Sequence, residues 1–177
     1  MKIVVLSGSP HRKGTTSILV DSFINGATAT NNEIFRVDTA FQDVHFCTGC
    51  EYCQKNNALC VQKDYMVELT PYILEANAVI FATPLYSFGF SSQLKVVIER
   101  FYPIMEQIKG KKQSALLASS YDNEIWTMDA LVLHYQTLLK YLNWENKGIV
   151  LARGCGTRND IEQTDSPNSA YILGKSF

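Results

Sequence analysis

The sequence predicts an α/β domain in which helices cover both faces of a doubly wound parallel sheet. Five short apolar runs alternate along the chain with segments of helical periodicity, which is the order of repeated strand–helix–strand units. Each run is apolar on both faces or nearly so, as strands buried between two helix layers must be. The 177 residues fit a single domain, 1–177, with one core and little room for a second.

The strands are predicted where β-branched and aliphatic residues run together between polar or glycine-containing segments. Their predicted ranges are Lys2–Ser7, Glu33–Asp38, Ala78–Ala82, Ser114–Ala118 and Gly148–Ala152. Strands that alternate with helices are joined by right-handed crossovers, so all of them are expected to be parallel.

The helices are predicted from apolar side chains that recur on one face at helical spacing. The four stripes are Ile18, Leu19, Phe23 and Ile24; Met66, Leu69 and Ile73; Leu94, Val97, Ile98, Phe101 and Met105; and Leu131, Tyr135, Leu138 and Leu142. The segment after Ala152 is rich in Gly, Asn, Asp and Ser, and it predicts one short helix near Pro167–Leu173. Ligands of open parallel sheets bind beyond the carboxyl ends of the strands, so the segments after each strand are the candidate sites.

Composition and charge narrow the classes of partner. The net charge of -1 offers no electrostatic footprint for nucleic acid or an anionic membrane, and we expect neither as a partner. The apolar run after Met1-Lys2 is too short for a signal peptide, so the sequence predicts a cytoplasmic protein. In that compartment the five cysteines are expected to be ligands or reactive thiols rather than a disulfide framework.

The loop after the first predicted strand, Ser7–Ser17, has the chemistry of an anion site. Its hydroxyl side chains after Gly8 are Ser9, Thr15, Thr16 and Ser17. A helix begins next, and the N–H groups and dipole at a helix N-terminus favour a phosphate. The loop is neither a Walker A motif, because no Lys follows Gly14, nor a G-x-G-x-x-G motif, because Pro10 replaces the second glycine. The alternative is a helix start that is simply capped by Ser or Thr.

This loop, G-S-P-H-R-K-G-T-T at residues 8–16, resembles the G-S-P-R-K-x-G-N-T loop of the NADPH-dependent FMN reductase and iron-sulfur flavoprotein group. That group belongs to the flavodoxin-like superfamily, so the resemblance implies the sheet order 2-1-3-4-5. In the family the loop holds the FMN phosphate, and the positions that carry over are Ser9, His11, Lys13, Thr15, Thr16 and Ser17. His11 stands where the family usually has Arg, and Thr15 where it often has Asn.

The segment after the third predicted strand, Thr83–Phe90, offers apolar and aromatic surface beside backbone amides. A flavin ring needs this mixture of an apolar wall and polar groups at its edge. The segment resembles the family motif P-x-Y-x-x-x-x-S-x-x-L-K, which implies flavin contacts from Pro84, Leu85, Tyr86, Ser87 and Phe88. The loop after the fourth strand adds Ser119, Ser120 and Tyr121 as candidate contacts, although related proteins often have glycines there. The alternative is that these aromatic residues merely seal the end of the sheet.

Four cysteines lie between the second strand and the second helix with the spacing C-x2-C-x2-C-x6-C. They are Cys47, Cys50, Cys53 and Cys60. Thiolates at this compact spacing can converge on one metal centre, and a 4Fe-4S cluster suits it better than structural zinc. The segment also resembles the cysteine motif of iron-sulfur flavoproteins. Free or redox-active thiols are the main alternative, and Cys155 is interpreted as a small packing residue.

The resemblance spans about Met1 to Asp160 and implies an FMN-dependent oxidoreductase. Electrons would come from NAD(P)H and pass to a small-molecule acceptor or a redox protein, with the cysteine cluster as a candidate relay. No side chain is assigned as a catalytic acid or base, because the flavin supplies the chemistry. The family often forms dimers or tetramers, so a homo-oligomer is expected. The alternatives are a metal-free FMN or quinone reductase, a non-enzymatic electron carrier like flavodoxin, and a regulatory phosphate-binding module without redox function.

Overall fold

The strands of the sheet lie close to where the sequence predicts them. In the computed structural model, which describes residues 1–177, they are β1 Lys2–Ser7, β2 Glu33–Asp38, β3 Ala78–Pro84, β4 Gln113–Ser119 and β5 Glu145–Ala152. They form one parallel sheet in the order β2-β1-β3-β4-β5. The predicted fold class and strand order are therefore confirmed, and β3, β4 and β5 extend beyond their predicted ranges.

The helices occupy the connections between strands and the segment after β5. They are α1 Thr15–Thr28, α2 Tyr52–Lys55, α3 Met66–Glu75, α4 Ser92–Glu99, α5 Met105–Ile108, α6 Asp129–Leu142, α7 Arg158–Glu162 and α8 Ser166–Lys175. Short 3-10 turns lie at Thr39–Phe41, Tyr102–Ile104 and Ile125–Met128. None of the helices combines the length and the apolar character needed to cross a membrane.

Two apolar cores lie on opposite faces of the sheet. The first packs α3, α4 and α6 against the sheet and includes Tyr135, which is completely buried. The second packs α1 and α8 against the other face through residues such as Phe23 and Ala170. Along β1, Val4 belongs to the first core and Val5 to the second, because successive side chains of a strand point to opposite faces. This double burial explains why the strand sequences are almost continuously apolar.

The helix expected along the stripe from Leu94 to Met105 is interrupted. α4 ends at Glu99, and a 3-10 turn that contains Pro103 separates it from α5. Proline has no backbone N–H to donate and its ring crowds the preceding turn, so a continuous helix would be destabilised at that point. The apolar stripe still faces the core, since Phe101 is completely buried between the two helices.

The last helix, α8, is anchored to α1 by a close crossing of the two backbones. A Cβ atom built on Gly26 would lie 2.0 Å from the carbonyl oxygen of Tyr171, and one on Gly174 would lie 2.1 Å from the carbonyl oxygen of Phe23. Neither position has room for a side chain. The predicted short helix near Pro167–Leu173 is thus confirmed as part of a longer helix that completes the second core.

Candidate functional site

A cleft of about 680 Å³ opens at the edge of the sheet where β1, β3, β4 and β5 end. Open parallel sheets bind ligands at this edge, and the volume is in the range of small-molecule sites. Most of the residues predicted from the sequence meet there. Those that line the cleft are Ser9, His11, Lys13, Thr15, Thr16, Pro84, Leu85, Tyr86, Ser119, Ser120 and Tyr121.

The loop between β1 and α1 presents an uncapped helix N-terminus to the cleft. α1 follows Gly14, and no side chain accepts a hydrogen bond from its first N–H groups. Those groups have no partner within the helix, so they are free to bind an anion. The Gly14 N–H donates to the His11 carbonyl at 3.0 Å, which folds the loop into a turn.

Ser17 supports this loop from behind rather than lining the cleft. Its hydroxyl donates to the carbonyl of Arg12 at 2.8 Å and to the carbonyl of His11 at 3.3 Å. The side chain is almost completely buried. These two bonds hold the loop carbonyls in place, and Ser17 is not among the residues that line the cleft, so its predicted contact with phosphate stays a prediction.

Three hydroxyl groups from two elements form the floor of the cleft. Ser119 Oγ, at the end of β4, lies 3.0 Å from Thr15 Oγ1 and 2.8 Å from Thr16 Oγ1. Thr16 and Ser119 are 1% and 2% exposed, so these hydroxyls are fixed by the fold. Each hydroxyl can both donate and accept, and the cluster can therefore turn donors toward a ligand. Ser9 lies beside it, where its Oγ accepts the His11 N–H at 3.2 Å.

The charges around the cleft suit an anionic ligand. The lining includes His11, Arg12, Lys13 and Arg158, and it includes no Asp or Glu. Arg158 Nη1 donates to the Lys13 carbonyl at 3.2 Å and thereby ties the segment after β5 to the β1–α1 loop. The hydroxyl floor, the free helix N-terminus and the absence of lining carboxylates together fit the phosphate of FMN.

The walls beside this floor are apolar and aromatic. The apolar and aromatic lining residues include Pro84, Leu85, Tyr86 and Tyr121. The Leu85 N–H donates to the Ser119 carbonyl at 2.8 Å, which extends the sheet contact to the rim of the cleft. Such walls match the faces of a flat ring system.

Ser87 and Phe88 lie outside the main cleft. They form the tip of a tight turn in which Tyr86 and Gly89 exchange backbone hydrogen bonds. Both have positive φ, 46° and 63°, a conformation that is strained for residues other than glycine. They line a neighbouring cavity of about 180 Å³ that shares Leu85, Ser120 and Tyr121 with the cleft.

Several lining residues were not predicted from the sequence. Phe41 reaches the cleft from the turn after β2, and the Arg12 guanidinium lies 3.7 Å from the centre of its ring. Gly156 and Thr157 follow β5. The rule that ligands bind after parallel strands could have found them, but their residue types carry no chemical signal. Cys155 is buried as predicted, and this burial raises the pKa of its thiol.

The four cysteines of the C-x2-C-x2-C-x6-C segment line one small cavity of about 20 Å³. Cys47 and Cys50 are exposed, Cys53 is buried on α2, and Cys60 is half-buried. Hydrogen bonds from the Tyr52 N–H and the Thr48 hydroxyl lower the pKa of the Cys50 thiol.

The structure contains no group of three His, Cys, Asp or Glu side chains placed so as to hold a metal ion. The prediction that these cysteines hold a 4Fe-4S cluster is therefore not supported. Spacing alone shows that the sulfurs can converge, but the turn before α2 leaves two of them at the surface.

A buried ion pair between Arg100 and Asp64 lies beside the cysteine segment. Arg100 Nη1 and Nη2 donate to the two oxygens of Asp64 at 2.5 and 3.1 Å, and both side chains are at most 2% exposed. The carboxylate also accepts the N–H groups of His45 and Met66 at 3.0 and 3.1 Å. Burial by itself would raise the pKa of Asp64, but the bonds from Arg100 and from these N–H groups lower it below its usual value. The Cys60 thiol lies beside the same guanidinium.

Comparison with known proteins shows the family of the chain and agrees with its fold. Residues 1–144 match the sequence profile of the NADPH-dependent FMN reductase family. The chain belongs to this family. An iron-sulfur flavoprotein of Archaeoglobus fulgidus is 34% identical over 113 residues, which are 63% of this chain and 51% of that protein. Iron-sulfur flavoprotein MJ1083 of Methanocaldococcus jannaschii is 32% identical over 70% of this chain and 64% of its own length.

The chain thus spans about half to two thirds of the length of these two relatives. YwqN of Bacillus subtilis is 27% identical, and the match covers 87% of this chain and 86% of YwqN.

Solved structures share the fold of this family member at low sequence identity. The Trp repressor binding protein of Bacillus subtilis superposes with a TM-score of 0.70 at 21% identity, covering 97% of each chain. NAD(P)H:quinone oxidoreductase of Methanothermobacter marburgensis gives a TM-score of 0.73 at 15% identity, covering 98% of this chain and 94% of that chain. An FMN-dependent NADH-azoreductase of Bacillus anthracis, solved with FMN, gives 0.68 at 16% identity over 99% and 97% of the two chains.

Proposed function

We propose that this chain is an FMN-dependent oxidoreductase that takes electrons from NAD(P)H and passes them to a small-molecule acceptor or a redox protein. The observation that carries the proposal is the hydroxyl cluster of Thr15, Thr16 and Ser119 beneath the uncapped N-terminus of α1. Membership of the NADPH-dependent FMN reductase family supports the same cofactor and the same electron donor.

The phosphate of FMN is assigned to the β1–α1 side of the cleft. There, the first N–H groups of α1 and the hydroxyls of Ser9, Thr15 and Thr16 would donate to its oxygens. His11 and Lys13 line the same side and would contribute positive charge. Charge-assisted hydrogen bonds to an anion are about twice as strong as bonds between neutral groups, so this end of the cleft should dominate cofactor affinity.

The flavin ring is assigned to the side of the cleft walled by Pro84, Leu85, Tyr86 and Tyr121. Bound there, the flavin supplies the hydride and electron transfer chemistry of the reaction. The chain's own residues bind the phosphate, orient the ring between apolar walls, and leave one side of the cleft open to the nicotinamide donor. No side chain is assigned as a catalytic acid or base.

FMN is preferred over FAD because the cleft has one phosphate-binding end. The sequence contains no dinucleotide fingerprint that would take an adenylate. The test is to release the cofactor from purified protein by denaturation and to identify it chromatographically. Recovery of FMN, together with flavin-dependent oxidation of NADPH or NADH, supports the proposal. Recovery mainly of FAD, or no flavin binding after reconstitution, would overturn it.

A quinone is the small acceptor that deserves the first test. The proposal draws on the structural likeness to a protein named NAD(P)H:quinone oxidoreductase, which extends over 98% of this chain. The cavity of about 180 Å³ beside the flavin end, walled by Phe88 and Tyr121, would accommodate part of a flat apolar molecule. A steady NAD(P)H oxidation rate that depends on quinone concentration supports this acceptor. A flavodoxin-like carrier would instead show no turnover with either nicotinamide.

We also propose that the protein forms a homo-oligomer through an aromatic patch beside the cleft. Phe88 and Trp126 stack with their ring centres 5.7 Å apart, although they are 51% and 61% exposed. Tyr121 and Ile125 are even more exposed, at 87% and 74%. A contiguous exposed patch of this kind is typical of an interaction surface. Its position would put a second copy at the mouth of the flavin site.

A further inference from the structure

The cleft carries more positive charge than one FMN phosphate uses. The proposed function assigns to that phosphate the N-terminus of α1, a set of hydroxyls, and the charges of His11 and Lys13. Arg12 and Arg158 also line the cleft, and no lining residue is acidic. Arg158 is occupied, because it pairs with Glu162 and donates to the Lys13 carbonyl. Arg12 is therefore the cation that remains to meet a second anion.

The Arg12 side chain has the arrangement of a preformed anion site. Elsewhere in the fold, Arg36 and Arg100 each meet a carboxylate, at 2.6 and 2.5 Å. The Arg12 guanidinium instead lies 3.7 Å from the centre of the Phe41 ring, and both residues are exposed to solvent. A guanidinium that packs over an aromatic ring keeps its N–H groups free to form two parallel hydrogen bonds with a phosphate.

The fold anchors the backbone on both sides of the Arg12–Phe41 contact. The Ser17 hydroxyl donates to the Arg12 carbonyl at 2.8 Å. Phe41 ends the 3-10 turn after β2, where the Thr39 hydroxyl donates to the Ser7 carbonyl at 3.2 Å. Ser17 and Thr39 are only 2% and 3% exposed. The position of the pair is thus set by buried contacts, although the pair itself is open to a ligand.

The order of the strands places this pair away from the proposed flavin walls. Phe41 follows β2, the phosphate loop follows β1, and the flavin walls follow β3 and β4. Neighbouring strands are about 4.8 Å apart, so β2 lies about 10 Å from β3 and about 14 Å from β4. A dinucleotide whose nicotinamide meets the flavin ring can reach across this distance with its adenosine end.

We propose that Arg12, held by Phe41, binds the 2′-phosphate of NADPH and makes the chain select NADPH over NADH. This inference rests on the proposed function, because it concerns the electron donor of the same flavin. The two donors differ only in the 2′-phosphate, so a residue that contacts it changes the choice of donor and not the chemistry at the nicotinamide. The absence of lining carboxylates leaves the added dianion without a repelling partner.

Donor kinetics on the full chain saturated with FMN test the role of each residue. Arg12→Met should raise the KM for NADPH about ten- to a hundred-fold relative to the KM for NADH, because a charge-assisted contact is lost. Arg12→Lys should lose part of the preference, since Lys keeps the charge but not the planar fork. Phe41→Leu should weaken the preference, and Phe41→Tyr should retain it. Lys109→Met is the matched control, because Lys109 lies over the Tyr141 ring at 4.7 Å, outside the cleft.

Calorimetric titration with adenosine 2′,5′-bisphosphate and adenosine 5′-monophosphate measures the same site without turnover. The bisphosphate should bind the wild type about ten-fold or more tightly than the monophosphate, and most of this advantage should disappear in Arg12→Met. Equal affinities in the wild type, an unchanged donor preference in Arg12→Met, or a loss of FMN affinity in Arg12→Met as large as in Thr16→Val would each overturn the inference. A chain that binds the bisphosphate through Arg12 but reduces FMN with neither donor would instead contradict the proposed function.

Discussion

Replacing Asp64 by Asn should strongly destabilise the fold, because it removes the charge that compensates buried Arg100. Breaking a buried ion pair by neutralising one partner costs about 3–5 kcal/mol, since the other charge is left in a medium of low polarity. A single domain is stable by only about 5–15 kcal/mol, so the loss is a large fraction of the total. It corresponds to a decrease of about 6–20 °C in Tm for a chain of this size.

Urea unfolding followed by circular dichroism measures this loss. Helix α4, which ends just before Arg100, offers a matched control. Lys95 and Glu99 form an exposed pair on α4 at 2.5 Å, with side chains that are 36% and 43% exposed. Glu99→Gln should cost less than about 1 kcal/mol, because water screens exposed pairs. If Asp64→Asn cost no more than the control, the reasoning that the buried Asp64–Arg100 pair stabilises the fold would be refuted.

The pH dependence of the same pair gives an independent check. The pKa of Asp64 is lowered in the folded protein, so its contribution to stability is complete above the unfolded value of 3.8 and is lost as the pH falls through the folded value. The difference in unfolding free energy between wild type and Asp64→Asn should therefore shrink on acidification below that range. A difference that grew on acidification would contradict the sign of the shift.

Three further substitutions test other parts of the account. Thr16→Val should weaken FMN binding about ten- to a hundred-fold by removing one hydrogen bond to phosphate, measured by flavin fluorescence titration. Thr28→Val, at the exposed end of the same helix, should leave the affinity unchanged. Gly174→Ala should destabilise the fold by about 1–3 kcal/mol in urea unfolding, because the new Cβ would meet the Phe23 carbonyl. Trp126→Ser should shift the oligomer toward monomer in sedimentation velocity. An unchanged molecular mass would show that the aromatic patch is not the interface.

The sheet was predictable because its strands are buried on both faces. Such strands read as short continuous apolar runs, and the predicted ranges of β1 and β2 match the structure at both ends. The sequence shows Pro103, but the apolar stripe from Leu94 to Met105 runs past it and predicts one continuous helix. In the structure the local loss of an N–H donor prevails, while the stripe remains buried without a continuous helix.

The candidate site was predictable where chemistry is local, and less so where it depends on packing. Hydroxyls that cluster after the first strand predict an anion site in the β1–α1 loop, and Thr15 and Thr16 of that loop line the cleft. Phe41 comes from a different connection, and only the folded chain brings it to Arg12. The cysteines show the same limit, because their spacing permits convergence but the turn before α2 determines which sulfurs are buried.

Comparing the binding of FMN and riboflavin to the flavin-free chain tests the central claim most directly, because the two ligands differ only in the phosphate. The account predicts one FMN per chain and an affinity for riboflavin that is weaker by about a hundred-fold or more, since several charge-assisted hydrogen bonds are lost. Thr16→Val should then weaken FMN binding and leave riboflavin binding unchanged. Equal affinities for the two flavins, or no binding of either, would contradict the claim that the β1–α1 loop holds the phosphate of a bound FMN.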